Sequence, residues 1–175
     1  DEVFFDPADV IVPPFLPDTV ETREELAQYY QSCARIDAGV AKLVEILKAA
    51  NLYDKTMIVF TSDHGMAFAG GKTTVYEGGL RVPFVVRDPY QTQRGVVSDA
   101  LISHIDITPS LLDFANGLDQ DLNRPKSMLN AAKFWKDRGE ALKENRNGNQ
   151  PFAQYHGQSW MPVLADPTIE HHETI

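Results

Sequence analysis

Thr56-Met57-Ile58-Val59-Phe60-Thr61-Ser62-Asp63-His64-Gly65 indicates most directly how this 175-residue chain folds. Residues 56–61 are a continuous apolar and β-branched run without alternation. Such a run predicts a strand covered on both faces, as in a parallel sheet between helices. The polar residues follow at the carboxyl end of this strand, which is where ligands bind in α/β sheets. We therefore expect a central parallel strand over 56–61 and a candidate site in the loop that follows.

Helical patterns flank this strand on both sides. Apolar residues recur at helical spacing from residue 23 to residue 50, and Thr19 or Thr22 is suited to cap that helix. Residues 82–86 form a second short apolar run, and 105–115 has the pattern of another amphipathic helix. Alternating helices and buried strands predict an α/β fold, a layered sheet covered by helices.

Two segments lack these patterns. Residues 1–20 contain four of the 11 prolines and predict an irregular strap, since proline removes backbone donors. Residues 119–150 are polar, and we interpret them as an insertion within the domain, with a surface helix over 127–142.

Composition and charge exclude some classes of function. An apolar share of 43% with 23% charged residues is ordinary for a soluble globular protein, and no apolar run reaches the ~18 residues of a membrane span. The net charge of −9 is concentrated near the two ends, and no basic patch suggests a nucleic-acid partner. The single Cys33 excludes an internal disulfide and lies at an apolar helical position, which predicts a structural thiol.

Asp63 and His64 are the candidate metal ligands. If the chain turns at Gly65, the carboxylate and the imidazole can converge on one ion. A carboxylate suits a hard divalent cation, whereas an imidazole suits a transition metal. The alternative is a simple turn in which Asp63 caps the backbone.

Lys72 is the candidate catalytic residue. It follows Gly70-Gly71, where the backbone permits close approach, and its compact charge suits an oxyanion. The alternative is a solvated loop lysine. For Arg81, nine residues further on, we favour a structural salt bridge over a role in the site.

The motifs along the chain together resemble those of the sulfatase family in the alkaline phosphatase superfamily. Six segments carry this resemblance: Pro14-Phe15-Leu16-Pro17-Asp18-Thr19, Arg35-Ile36-Asp37-Ala38-Gly39-Val40, Thr61-Ser62-Asp63-His64-Gly65, Gly71-Lys72, Tyr76-Glu77-Gly78-Gly79-Leu80-Arg81-Val82-Pro83 and His104-Ile105-Asp106-Ile107-Thr108-Pro109-Ser110-Leu111-Leu112. They occur in the family's order, and the overall pattern is similar to the heparan N-sulfatase-like branch. The resemblance implies an alkaline phosphatase-like α/β fold.

The resemblance also implies roles for the candidate residues. Asp63 and His64 match positions that bind a divalent cation, commonly Ca²⁺, although many members have Asn where this chain has His64. Lys72 matches the basic residue that contacts the substrate sulfate and the leaving oxygen. Asp106 lies in a segment that mainly shapes the domain, as does His104.

Other family features have no match in this sequence. The nucleophile motif Cys/Ser-x-Pro-x-Arg, whose first residue becomes formylglycine, is absent, and Cys33 lacks its proline. The pair of Asp ligands on the family's first strand is also unmatched, because Asp18 and Asp37 stand in another context. We therefore expect residues 1–175 to be the C-terminal portion of a sulfatase catalytic domain. Its partner would be the remainder of that domain, upstream, and the isolated chain would be inactive.

The expected activity of the parent protein is hydrolysis of a sulfate ester or sulfamate on a small molecule or glycan. By resemblance, the protein is expected to be exported. The alternatives are a phosphatase or phosphonate hydrolase of the same superfamily, or a non-catalytic module of sulfatase descent. Near the end of the chain, His171-His172-Glu173 resembles a segment that approaches the substrate pocket, with a disordered tail as the alternative.

Overall fold

A computed structural model describes residues 3–120, 124–125 and 155–173 of the chain. The chain divides after Tyr90 into two compact units. None of the helices in the described ranges combines the length and the apolar character needed to cross a membrane.

The first unit is built on a long helix, α1, over Val20–Ala49. Thr19 is its N-cap: the side-chain hydroxyl accepts a hydrogen bond from the backbone N–H of Thr22 at 3.3 Å. At the other end, Asn51 has a φ of 56°, a left-handed conformation that Asn tolerates better than most residues. The predicted helix and the first of its two predicted caps are therefore confirmed.

The strap before α1 is irregular, as its prolines predict, and packs against the first turns of that helix. Val10, Leu26 and Ala27 form the buried cluster there. Five partly buried side chains cover it: Phe5, Val12, Leu16, Tyr30 and Phe68. Arg23 ties the strap down by donating hydrogen bonds to backbone carbonyls of the strap and pairing with the Asp18 carboxylate.

Further along α1 the apolar residues are largely exposed. Cys33 is a free and exposed cysteine, so the interpretation of a packed structural thiol was wrong. Helical spacing identifies which side chains share a face, but it does not show whether anything covers that face. Ile36 and Leu43 are also more than half exposed.

Strand β1 covers Ile58–Thr61 and pairs with strand β2, Phe84–Arg87. The register is antiparallel, with Ile58 opposite Arg87 and Thr61 opposite Phe84. The predicted strands are confirmed, but the parallel orientation is wrong for this pair. An apolar run reports expected burial and carries no information about the direction of its neighbour. The cross-strand partners Phe60 and Val85 are exposed, so this pair shows no covered second face.

A one-turn helix, α2, over Glu77–Leu80 precedes β2. Its Glu77 carboxylate lies 3.5 Å from the guanidinium of Arg81, and both side chains are exposed. Arg81 therefore makes a salt bridge, as predicted, and whether that pair is its main role stays a prediction. This unit is consistent with part of an α/β fold, although its sheet has two strands in the described residues.

The second unit centres on a 3₁₀ turn, His104–Asp106, that leads into helix α3, Ile107–Phe114. Ser103 and Asp106 form a capping box at the start of the turn. Two-residue strands β3, Leu118–Asp119, and β4, Arg124–Pro125, pair antiparallel, and helix α4 covers Met161–Ala165.

Buried Leu118, Trp160 and Val163 supply apolar side chains in this unit. The predicted helix at 105–115 is confirmed. Most of the predicted insertion at 119–150, including its helix at 127–142, lies outside the described residues.

Candidate functional site

The loop after β1 holds the Asp63–His64 pair at the place that the sequence predicts. Its backbone is tied back locally, because the Ser62 hydroxyl donates to the His64 carbonyl at 2.7 Å. The N–H of Gly65 then donates to the Gly79 carbonyl at 3.1 Å. The loop is thus held between the end of β1 and helix α2.

The imidazole of His64 is oriented so that one ring nitrogen contacts the Gly65 carbonyl and the other faces the Asp63 carboxylate. Nδ1 of His64 lies 2.8 Å from the carbonyl oxygen of Gly65, and since a carbonyl can only accept, Nδ1 carries the proton. In the neutral ring Nε2 therefore presents a lone pair. That atom is 3.3 Å from Oδ2 of Asp63, a second acceptor. Two acceptor atoms at this distance can share a bound cation. Otherwise Nε2 of His64 can take up a proton and pair with the Asp63 carboxylate.

The donor set is compatible with a divalent metal ion and incomplete for one. Ca²⁺ takes six to eight oxygen ligands, whereas an imidazole nitrogen is more typical of transition metals. Asp63 and His64 supply one oxygen and one nitrogen, so they account for half of a four-coordinate transition-metal shell and a minority of a Ca²⁺ shell. The hydrogen bond from His64 to the Gly65 carbonyl is the kind of contact that orients a metal-bound histidine. The Asp63 side chain is 83% exposed, which leaves its carboxylate accessible.

Lys72 lies in the same loop as the metal-ligand candidates. Its backbone N–H donates to the Met66 carbonyl at 2.8 Å, which folds residues 66–72 into a compact turn. The next residue, Thr73, has a φ of 68°. The Lys72 side chain is exposed, so its ammonium group is available to an anion.

Close glycine packing determines the path of this loop. A Cβ added at Gly65 would lie 2.7 Å from the carbonyl carbon of Gly78 and 2.9 Å from Cα of Gly79. A Cβ at buried Gly79 would lie 2.6 Å from the carbonyl oxygen of Gly71. Only residues without a side chain allow these backbone segments to approach so closely.

A second group of ionisable side chains lies in the other unit. Asp106, His171 and His172 offer ligand atoms that all lie within 4.8 Å of one another. Burial lowers the pKa of His171 below its ordinary value, although the nearby Asp106 carboxylate opposes this shift. The disordered tail considered for this segment is wrong for residues 171–173, since the side chain of His171 is 5% exposed.

The sequence singled out these three residues in separate segments and did not predict that they lie close together. Adjacent histidines and a distant acid carry no spacing signal, because the chain between Asp106 and His171 is long. The structural role expected for Asp106 is supported by its complete burial and by its hydrogen bonds to backbone N–H groups.

The comparison with known proteins supports the resemblance to the sulfatase family. The family model named Sulfatase matches residues 6–118. The chain is 40% identical over 111 residues to N-sulphoglucosamine sulphohydrolase of Homo sapiens, an alignment that covers 63% of this chain and 22% of that protein. It is 39% identical over 99 residues to Arylsulfatase K of Gallus gallus, covering 54% of this chain and 18% of that protein.

An Ulvan-active sulfatase of Formosa agariphila is 28% identical over 132 residues, covering 69% of this chain and 22% of the relative. The chain thus spans about a fifth of the length of these curated relatives. The family model matches well over half of the chain. The chain therefore belongs to the sulfatase family and is similar to part of its heparan N-sulfatase-like branch.

Proposed function

We propose that the protein carrying this chain hydrolyses a sulfate ester or a sulfamate. The observation that carries this proposal is the pair of acceptor atoms, Asp63 Oδ2 and His64 Nε2, 3.3 Å apart in the loop after β1. In this proposal Asp63 and His64 hold part of a divalent metal site, and Lys72 contacts the substrate sulfate. Ca²⁺ is the expected ion by family resemblance, whereas the imidazole of His64 is a ligand more typical of transition metals.

The three residues have complementary roles. A bound divalent metal supplies Lewis-acid stabilisation of charge on a sulfate oxygen. Asp63 orients and charge-balances that ion, and His64 is kept in one tautomer by the Gly65 carbonyl. The Lys72 ammonium neutralises charge that develops on the leaving oxygen when the bond to sulfur breaks, because a compact cation is most effective close to a localised charge.

The nucleophile must come from elsewhere in the parent protein. The sequence has no Cys/Ser-x-Pro-x-Arg segment from which formylglycine could form. We therefore propose that the 175 residues alone do not turn over a sulfate ester. The remainder of the domain would supply the nucleophile and the other metal ligands.

A sulfated glycan is the proposed substrate class. One relative is named for N-sulphoglucosamine, a sulfated sugar, and another is named as active on ulvan. Residues 26–165 have a net charge near +1, so this part of the chain does not repel an anionic substrate. By family resemblance, the parent protein is proposed to be exported.

Substitution of Lys72 in the full-length protein tests the proposed catalytic role. With an aryl sulfate as substrate, Lys72→Ala is expected to lower kcat/KM by ~10²–10³-fold, which is the effect of losing one electrostatic stabiliser. Lys72→Arg should recover part of this loss, since the planar guanidinium differs in shape from an ammonium.

The matched control is Lys55→Ala, which removes an exposed lysine from the turn before β1 and should leave kcat/KM unchanged. Asp63→Asn should lower the affinity for the metal ion, so that activity requires a higher concentration of added metal, without changing the fold. An unchanged kcat/KM in Lys72→Ala would exclude Lys72 from the site. Preferential turnover of an aryl phosphate by the unmodified protein would instead favour the phosphatase alternative.

A further inference from the structure

The buried carboxylate of Asp106 is held in a fixed orientation by the backbone around it. Its Oδ2 accepts a hydrogen bond from the N–H of Ser103, and its Oδ1 accepts one from the N–H of Gln158, each at 2.8 Å. The side chain has no exposed surface. Each oxygen has a further lone pair, so the carboxylate can still bind another group on its open side.

His172 occupies that open side. Its Nε2 lies 3.0 Å from Oδ1 and 2.9 Å from Oδ2 of Asp106, and its side chain is 14% exposed. Without a metal, this is a hydrogen bond between the ring and the carboxylate. The contact brings a basic nitrogen to the carboxylate at the edge of the unit, where solvent can reach it.

His171 contributes a nitrogen that the protein leaves unsatisfied. Its Nε2 lies 3.4 Å from Oδ2 of Asp106, and within the described part of the chain it has no hydrogen-bond partner. The ring is nearly fully buried, and its edge packs against His172 with 4.4 Å between centroids. Buried polar nitrogens are almost always paired, so an orphan of this kind points to a missing ligand.

We propose that Asp106, His171 and His172 form a binding site for a divalent transition-metal ion of the zinc type. Zinc lies about 2.0–2.2 Å from nitrogen and oxygen ligands, so tetrahedral ligand atoms are about 3.3–3.6 Å apart. The separation of 3.4 Å between His171 Nε2 and Asp106 Oδ2 meets this requirement. His172 needs to withdraw by only a few tenths of an ångström from its present 2.9 Å.

The donor chemistry selects the class of metal. Two imidazole nitrogens and one carboxylate oxygen favour Zn²⁺ and similar ions over Ca²⁺, which requires a shell of oxygens. The hydrogen bonds from Ser103 and Gln158 to the carboxylate are the kind of outer contacts that orient metal ligands. The partial exposure of His172 leaves a fourth position accessible to water. A metal here would clamp residues 171–173 to the turn before α3.

Zinc titration of the full-length protein tests the site. After removal of metals with a chelator, Zn²⁺ binding is measured by calorimetry, and Co²⁺ is used as a spectroscopic substitute that reports coordination geometry. His171→Ala and His172→Ala should each weaken Zn²⁺ binding by at least ~100-fold, more than the loss of an outer contact. His156→Ala, which removes an exposed histidine of the same unit, should have no effect.

Three further measurements separate this site from the Asp63–His64 site and from the effects of misfolding. Zn²⁺ binding should persist in Asp63→Asn, and millimolar Ca²⁺ should not displace it. Circular dichroism checks that each variant is folded, and His172→Ala tests the site if His171→Ala does not fold. Zinc binding that both histidine variants retain, that Ca²⁺ displaces, or that is undetectable in the unmodified protein would overturn the proposal.

Discussion

Gly65→Ala is expected to damage both the stability of the protein and the position of the candidate site. The added Cβ would lie 2.7 Å from the carbonyl carbon of Gly78 and 2.9 Å from Cα of Gly79. Carbon atoms in favourable contact are about 3.5–4.0 Å apart, and the carbonyl oxygen of Gly78 lies closer still to the added Cβ, so the two backbone segments must separate by at least about 1 Å. No flexible side chain can absorb this movement, because both neighbours are main-chain atoms.

The expected energetic effect follows from two contributions. Overpacking of a tight region destabilises by about 1–3 kcal/mol. Stretching the hydrogen bond from the Gly65 N–H to the Gly79 carbonyl removes about 0.5–1.5 kcal/mol. We therefore expect a loss of about 1.5–4.5 kcal/mol in the free energy of unfolding. Because Asp63 and His64 directly precede this glycine, a shift of about 1 Å should also lower kcat/KM by up to ~10²-fold.

The assay is denaturant unfolding of the full-length protein, combined with aryl sulfatase kinetics. Gly39→Ala is the matched control, since this glycine lies within α1 and a Cβ there meets no atom within 4 Å. Alanine favours a helix over glycine, so the control should gain about 0.5–1 kcal/mol and keep its activity. Equal stability and equal kcat/KM in the Gly65→Ala and Gly39→Ala variants would refute the close-packing argument.

Two other predictions concern the first unit. Leu26→Ala should destabilise by about 2–5 kcal/mol in denaturant unfolding, because Leu26 is completely buried, whereas exposed Leu43→Ala should stay within about 0.5 kcal/mol. The hydrogen bond from Arg23 holds the pKa of Asp18 below its ordinary value of 3.8, so Arg23→Gln should raise that pKa in an NMR titration. Since the pKa of Asp18 is lower in the folded than in the unfolded state, this pair stabilises the fold above about pH 3.8 and ceases to do so as the pH falls through the folded-state pKa. An unchanged pKa of Asp18 in Arg23→Gln would contradict the role given to Arg23.

Local patterns were sufficient to predict several elements and their order. Helix α1 and its cap at Thr19 depend on side-chain spacing and on hydrogen bonds between near neighbours, and the apolar run of strand β1 is visible in the sequence. The position of Asp63 and His64 directly after β1 is likewise visible in the sequence. Membership of the sulfatase family also follows from the order of short motifs along the chain.

Other features depended on residues that are distant in sequence. The antiparallel pairing of β1 with β2 was not encoded in either apolar run, and the exposure of Cys33 depends on whether another element covers its face of α1. Periodicity specifies a face, whereas burial is a property of what packs against it.

The chemistry of both ionisable clusters was likewise a tertiary result. The proton on Nδ1 of His64 follows from its contact with the Gly65 carbonyl, which depends on how the loop turns. The meeting of Asp106 with His171 and His172 requires the C-terminal segment to return to the turn before α3. A one-dimensional sequence specifies which donors are available, but only the folded chain determines which of them come within bonding distance of one another.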